Sequence, residues 1–501
     1  MFTFKERKIR FLNAYTVEIY ANLRYNSSIL HFQEIKMEKL TKKYGLFTAI
    51  CTVVGIVIGS GIFFKAKDVI VAAGGNALYS ILAWFISGMI MVVIATTFAF
   101  LATKYEKVNG AVDYAEAMCG KKYAYFVGWF MSLIYYPAMT AVLAWVSARY
   151  TLVVFGYSEA PLAFVEGTKS TLNSPEVITL ALFYLVLAFF INAIAPRLAG
   201  KFQISATVIK LIPIVIIALV GTVAGLINGN LGANIAIGEL GGASGNGGLL
   251  AAICTTVFAY DGWIVATSIN SEIKDAKKNL PIALCLGTLI IVIAYTLFNV
   301  GLFGLANIGD IATGGTTVAY NFFGGAAAAI INILVVISCL GTLNGLMLGG
   351  SRGIYSLSAR GEGFYPETFA QVDKVTGIPH NSAIFSLMMS GGWFLYFILL
   401  GSGLFDFGVA SKYAFDSSEL PIVTLYAMYI PILVAMMIKE KELGAFRRFV
   451  LPSLSIVGIG VIVYACVSKH GIRNVWYLIV FAIFMVVGAI VQMKNKKEAV
   501  N

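Results

Sequence analysis

The sequence predicts an all-α membrane protein with twelve transmembrane helices, and three observations carry this prediction. First, 59% of the 501 residues are hydrophobic and only 12% are charged, whereas about a quarter of a soluble domain is charged. Second, the apolar residues gather in runs of about 20, the length of a membrane-spanning helix. Third, Lys and Arg are concentrated in every second segment between the apolar runs, as expected when those segments lie on the cytoplasmic side. The mean hydropathy of +0.84 agrees with a chain whose solvent is lipid.

The apolar runs define twelve predicted spans, and no soluble domain is left between them. In chain order the spans are 45–64, 77–101, 123–148, 177–195, 202–227, 248–269, 280–306, 319–350, 383–402, 421–438, 449–467 and 474–493.

The distribution of Lys and Arg tests this count and sets the orientation. From Met37 onward, 22 of these residues fall in the segments predicted to be cytoplasmic and 7 in the outer segments, among them Lys65, Arg149 and Lys469. An excess of positive charge marks the cytoplasmic side. The sequence therefore predicts a multi-pass protein of the cell membrane with both termini in the cytoplasm.

Residues 1–36 form an atypical N-terminal extension that carries six Lys and Arg but no apolar run long enough for a signal peptide. We interpret Met37 as the true start of the protein. The alternative is a disordered basic arm on the membrane surface.

Composition also excludes several function classes. The net charge of +11 does not indicate a nucleic-acid partner, because the basic residues lie in short clusters between apolar runs. The six cysteines are scattered singly, without disulfide or metal-ligand spacing, and are expected to be small packing residues. The three histidines lie outside the spans. With no nucleophile–base pair, no metal cluster and no cofactor motif, the chain is not expected to be an enzyme.

The first span contains a predicted helix break at mid-depth, where Gly59 and Gly61 flank Ser60. Broken helices survive in a membrane only where they line a cavity. The freed amides of Ser60, Gly61 and Ile62 would begin a second half-helix, whose positive end attracts a carboxylate. The alternative is a helix-packing face, since Gly55 and Gly59 have Gly-x-x-x-Gly spacing.

The sixth span contains a second predicted break at Asp261 and Gly262, a pair that is unfavourable inside a helix. Breaks in spans one and six occupy corresponding positions of two five-span halves, as in inverted-repeat transporters with a midplane site. We therefore assign 37–228 to a first inverted repeat of helices 1–5 and 229–440 to a second repeat of helices 6–10. Residues 441–501 hold helices 11–12 and a short tail.

Two charged side chains, Lys210 and Asp261, fall inside the predicted spans, where a charge is costly and marks function by default. Lys210 could occupy the place of a coupling sodium ion, or load and release a proton; the alternative is a lysine that reaches back to the interface. Asp261 has three candidate roles: a cap for the following half-helix, a proton carrier, or a partner for a cationic substrate.

Three stretches resemble the amino acid–polyamine–organocation superfamily, and within it the branch of L-type amino acid transporters and bacterial permeases. They are residues 55–63 (GIVIGSGIF), residues 258–263 with 272–281 (FAYDGW and EIKDAKKNLP), and residues 341–345, 350–352 and 376–382 (GTLNG, GSR and TGIPHNS). One departure is Ala276, where the family usually has proline. A second is the 36-residue extension.

The resemblance implies a leucine-transporter-type fold, a 5+5 inverted repeat plus two C-terminal helices. It implies that the substrate α-carboxylate binds the backbone at Ser60, Gly61 and Ile62, and that the α-ammonium binds carbonyls near Val57 and Phe258. Phe258 would close the site from one side, next to Ala259 and Asp261. A lysine at the position of Lys210 implies a sodium-independent carrier.

The predicted function is therefore secondary active transport of an amino acid by alternating access, either as proton symport or as exchange. Asp261 keeps a polyamine or organic cation open as the substrate, whereas the apolar residues around the breaks favour a neutral amino acid. A nutrient sensor built on a permease fold is the third reading. The lipid bilayer and the small-molecule substrate are the expected partners, and no docking motif indicates a partner subunit.

Overall fold

A computed structural model describes residues 45–105, 110–157, 174–237, 248–266, 273–373, 376–401, 408 and 412–498. The segment 1–36 and its interpretation lie outside this part of the chain. Where the chain is described it is helical and contains no β-strand. This agrees with the predicted all-α class.

The first half of the described chain contains eleven α-helices. They are α1 (Leu46–Val57), α2 (Gly61–Ala72), α3 (Ala77–Lys104), α4 (Ala111–Cys119), α5 (Lys121–Phe130), α6 (Tyr136–Val154), α7 (Pro175–Ile194), α8 (Pro196–Ile209), α9 (Leu211–Ile216), α10 (Thr222–Ile227) and α11 (Asn230–Ala236). A π-turn at Met131–Tyr135 joins α5 to α6, and another at Ile217–Gly221 joins α9 to α10.

The second half of the described chain is also helical. It contains α12 (Leu249–Tyr260), α13 (Trp263–Ala266), α14 (Ala276–Leu305), α15 (Ile308–Gly314), α16 (Thr317–Tyr320), α17 (Gly325–Ser351), α18 (Gly353–Ser358), α19 (Pro366–Phe369), α20 (His380–Tyr396), α21 (Leu420–Lys439), α22 (Leu451–His470) and α23 (Arg473–Glu498). Short irregular turns at Asn321–Phe323, Phe397–Gly401 and Phe446–Val450 extend α16, α20 and α22.

Ten helices within the described residues are long and apolar enough to cross a membrane. They account for every predicted span except the first and the sixth, which correspond to the two interrupted pairs α1–α2 and α12–α13. Both α1 and α12 are apolar but shorter than a span. The chain is therefore a multi-pass membrane protein.

The core lies where α12, α14 and α17 pack against α3 and the long helix Lys121–Val154. Many side chains of α23, among them Ile483 and Val486, are instead exposed. An apolar exposed face on a spanning helix is suited to lipid.

The predicted end of the first span at residue 64 is too early. Helix α2 continues to Ala72, so Lys65 lies within a helix and only 3% of it is exposed. The charge needs a buried partner, and the side chain has one in Glu419, 2.8 Å away.

The expectation that all six cysteines are isolated packing residues is wrong for two of them. Cys254 on α12 and Cys466 on α22 form a disulfide, with their Cα atoms 5.1 Å apart. They are 212 residues apart in sequence, so no local spacing could indicate the pair. Packing of α12 against α22 brings them together.

Candidate functional site

The first interruption separates α1 from α2. Helix α1 ends at Val57, Ile58 is extended, and α2 begins at Gly61 with no side chain capping it. The first N–H groups of a helix lack intrahelical acceptors. The start of α2 therefore presents backbone donors, together with the buried Ser60 hydroxyl, which has no hydrogen-bond partner among the described residues.

The second interruption separates α12 from α13. Asp261 is extended, and Gly262 has a φ of +100°, a backbone conformation that favours glycine. The predicted break at this pair is therefore present.

The two interruptions touch each other. A Cβ atom added to Gly61 would lie 2.5 Å from the Cα atom of Ala259. Only glycine permits this approach, so the start of α2 lies directly against the last turn of α12.

A cavity of about 300 Å³ lies at this junction. Seven of the eight predicted site residues line it, namely Val57, Ser60, Gly61, Lys210, Phe258, Ala259 and Asp261. Ile62 is not among the lining residues, and its side chain is fully buried. The other walls come from the helix Lys121–Val154, from α17 and from Ile422 on α21.

Lys210 lies at the end of α8, and its ammonium donates a hydrogen bond to the carbonyl oxygen of Gly55. Only 3% of the residue is exposed, so the interface alternative for this lysine does not hold. The bond joins α8 to the last turns of α1, immediately before the interruption. Lys210 is thus placed to influence the geometry of the broken helix.

Asp261 accepts a hydrogen bond from the hydroxyl of Tyr135, and its other carboxylate oxygen has no partner among the described side chains and backbone. Tyr135 ends the π-turn at Met131–Tyr135, and such turns are frequent at functional sites. The contact connects the second interruption to the opposite wall of the cavity. A capping role for Asp261 stays a prediction.

Among the cavity residues that the sequence-based prediction did not name, four have polar side chains: Tyr135, Tyr136, Thr342 and Arg352. For the two tyrosines a signal was present, because Pro137 follows them within an apolar run. Proline lacks the N–H that would bond to Leu133, and the carbonyl of Leu133 instead accepts from Trp393 Nε1 at 2.9 Å. An irregular turn was therefore predictable there.

A group of potential metal ligands lies elsewhere. Ligand atoms of Cys254, Glu419 and His470 all lie within 4.8 Å of one another. A metal-binding cysteine acts as a thiolate, whereas the sulfur of Cys254 is bonded to Cys466. Glu419 also binds two lysines, Lys65 and Lys469. In this state the group is better suited to an ion-pair network than to a metal.

The family described as "Amino acid permease" matches residues 44–494, nearly the whole chain. The chain belongs to this family.

Proteins similar in sequence to this chain include amino acid exchangers and transporters. The serine/threonine exchanger SteT of Bacillus subtilis (strain 168) is 28% identical over 418 residues, covering 82% of this chain and 87% of the relative. The b(0,+)-type amino acid transporter 1 of Mus musculus is 27% identical, covering 71% of each chain. The human cystine/glutamate transporter is 28% identical, covering 70% of this permease and 68% of the relative.

Proposed function

We propose that this permease exchanges amino acids across the cell membrane by alternating access. The single observation that carries the proposal is that two interrupted helices meet at one cavity, with the uncapped start of α2 directed at it. Half-helix ends of this kind suit the two charges of an amino acid. Exchange is favoured over proton symport because the relative SteT, matched over 87% of its length, bears the name of an exchanger.

In the proposed complex the α-carboxylate binds the amides at Ser60, Gly61 and Ile62. The α-ammonium binds carbonyl oxygens at the ends of the broken helices, near Val57 and Phe258. Tyr295 Oη lies 3.4 Å from the carbonyl oxygen of Val57, so a bound ammonium would share or replace that contact.

The proposed substrate is a neutral amino acid. Met139, Leu143 and Leu346 make much of the cavity wall apolar, and an apolar wall accepts an uncharged side chain without an unpaired buried charge.

The proposed arrangement in the membrane has twelve spans, because α1–α2 and α12–α13 would each cross once. The two interrupted pairs would occupy equivalent positions in a 5+5 inverted repeat. The Lys and Arg distribution supports cytoplasmic termini. Lys210 is proposed to stand where a coupling sodium ion would otherwise sit, which makes the carrier sodium-independent.

Proteoliposomes loaded with an unlabelled amino acid mixture test this function. We expect uptake of labelled neutral amino acids to require internal amino acid, and to be unchanged when choline replaces external sodium. Uptake into empty vesicles driven by a pH gradient would show proton symport instead. No uptake in either condition would overturn the proposal.

A polyamine or organic cation is the second candidate substrate, since one oxygen of Asp261 has no partner among the described residues of the cavity region. Competition separates the two classes. We expect excess unlabelled neutral amino acids to suppress exchange and polyamines to leave it unchanged. The reverse pattern would identify a cation carrier.

A further inference from the structure

A series of side-chain contacts connects the cavity to the buried carboxylate of Glu419. Phe258 lines the cavity and packs edge-on against Phe64, with ring centroids 5.7 Å apart. The ammonium of Lys65 lies 5.6 Å from the Phe258 ring centroid and 5.1 Å from that of Phe64. Both distances are within the range of a cation–π interaction. The same ammonium is 2.8 Å from Oε1 of Glu419, the residue that precedes α21.

Glu419 is fully buried and is contacted by residues of three other helices. Besides Lys65 on α2, Lys469 Nζ lies 2.7 Å and His470 Nε2 3.0 Å from Oε2, both at the end of α22. The sulfur of Cys254 on α12 is 3.4 Å from the same oxygen. The carboxylate thus joins α2 to α21 and α22 directly, and it is linked to α12 through Lys469, whose ammonium also donates to Thr255 Oγ1 at 2.7 Å.

The surroundings hold this carboxylate in place and in its charged form. Asp416 accepts hydrogen bonds from the amides of Ser418 and Glu419, at 2.6 and 3.1 Å, which fixes the turn before α21. Burial alone would raise the pKa of Glu419, but the charges of Lys469 and Lys65 outweigh burial and hold that pKa well below its usual range. The carboxylate is therefore ionised at neutral pH.

The outer ends of the two interrupted helices are also joined to each other. The amide of Gly248, just before α12, donates to the carbonyl oxygen of Ala72 at the end of α2, at 2.8 Å. The disulfide Cys254–Cys466 fastens α12 to α22. By the predicted orientation all these contacts are on the outer side. Arg352, which lies in a segment predicted to be cytoplasmic, lines the same cavity.

We infer that Glu419 is a positioning residue for transport, the centre of an ionic latch that closes the outer pathway. By binding Lys65, Lys469 and His470 it holds α2 and α12 together and keeps Phe258 over the cavity. For substrate to pass on the outer side, the bond between Glu419 and Lys65 must open. This inference rests on the proposed alternating-access cycle, and it concerns which groups keep one side shut.

The latch has a direct structural readout, the accessibility of the cavity from outside. Leu143 lines the cavity, and a cysteine in its place reports access to the cavity whether or not substrate is bound. A Leu143→Cys variant is made in a background in which the four free cysteines, Cys51, Cys119, Cys285 and Cys339, are replaced by serine. It is reconstituted in vesicles of known sidedness, without substrate, and labelled from outside with a membrane-impermeant charged maleimide.

The first test variant adds Glu419→Gln to this Leu143→Cys background, which keeps the shape of the side chain at position 419 and removes its charge. We expect outer labelling of position 143 to rise by about tenfold or more, since a minor conformation populated at about 1–10% would become a major one. Lys65→Gln is the second variant, and it leaves Glu419 still bound to Lys469 and His470. The double variant should label no faster than the faster single variant, because both remove one interaction.

Glu440→Gln is the matched control. Glu440 is also a buried carboxylate bound to a lysine, with Lys104 Nζ at 2.7 Å, but it lies at the predicted cytoplasmic end of α21. Glu440→Gln should therefore leave labelling of position 143 from outside unchanged. Unchanged labelling in both Glu419→Gln and Lys65→Gln, in protein that keeps its thermal stability, would overturn the latch. An equal rise in Glu440→Gln would do the same, because the effect would then be general loosening.

This test is separable from the proposed function. Labelling does not depend on which solute is carried. If Glu419→Gln raises labelling but the wild-type protein does not exchange amino acids, the proposed function is rejected and the latch is retained. If the wild-type protein exchanges amino acids but labelling does not change in the variants, the latch is rejected and the function is retained.

Discussion

At the scale of single residues, the contact between Tyr135 and Asp261 connects two walls of the cavity. Tyr135→Phe removes the donor and leaves a charged acceptor without it. A hydrogen bond to a charged group is worth about 1.5–3 kcal/mol, so we expect exchange to slow by about tenfold or more. The measurement is the initial exchange rate in proteoliposomes at matched protein content.

Tyr136→Phe is the control for this contact. Tyr136 lines the same cavity, but it is the hydroxyl of Tyr135 that binds Asp261. Asp261→Asn should retain most activity towards neutral amino acids, because its amide oxygen can still accept from Tyr135. Equal losses in the two Phe variants would contradict a specific role for the Tyr135 hydroxyl.

Lys210 is the second residue with a predicted effect on the cycle. Lys210→Ala removes the bond to the Gly55 carbonyl that joins α8 to the broken helix. We expect exchange to fall by about tenfold or more on the same hydrogen-bond scale, without sodium dependence appearing. Lys201→Ala, at an exposed position on the same helix, should exchange normally. An unaltered rate in Lys210→Ala would remove this lysine from the mechanism.

At the scale of helices, the packing of α14 against the segment from α9 to α10 depends on glycine. A Cβ at Gly304 would overlap the carbonyl oxygen of Gly221, and one at Gly301 would overlap that of Ile217. Small residues allow helices to approach closely in a membrane.

Gly304→Leu should therefore lower the apparent melting temperature in a fluorescence thermal-shift assay. Forcing larger side chains into a packed interface typically costs about 1–3 kcal/mol or more. Gly460→Leu is the control, since Gly460 is also inside a helix but has no atom within 4 Å of an added Cβ. A similar loss in both variants would point to a general effect of leucine.

The disulfide between α12 and α22 gives a second prediction at the scale of helices. Disulfides typically contribute about 2–4 kcal/mol, so Cys466→Ser should lower the melting temperature measurably. Cys285→Ser, which changes a free cysteine on α14, should not. Peptide mapping without reductant should recover Cys254 and Cys466 as one linked pair. Two free thiols in that map would contradict the bond.

At the scale of the whole molecule, much of the architecture was predictable because the membrane restricts the options. Spanning segments must be apolar and about 20 residues long, so the ten long helices agree with the predicted runs. The two helix breaks were also predictable, because a Gly-Ser-Gly sequence and an Asp-Gly pair are unfavourable inside a helix, and a break is tolerated in a membrane where it lines a cavity. Boundaries were less accurate, as α2 shows by continuing past Lys65.

The sequence by itself determined the class of protein, the positions of both breaks and the cavity residues that lie at or near those breaks. These follow from local chemistry, since hydrophobicity and backbone freedom belong to each segment separately. Only the tertiary structure decided the partners of Lys65, Glu419, Cys254 and Tyr135. Their partners lie between 50 and 354 residues away along the chain, and contacts at such separations depend on how helices pack, which no local pattern records.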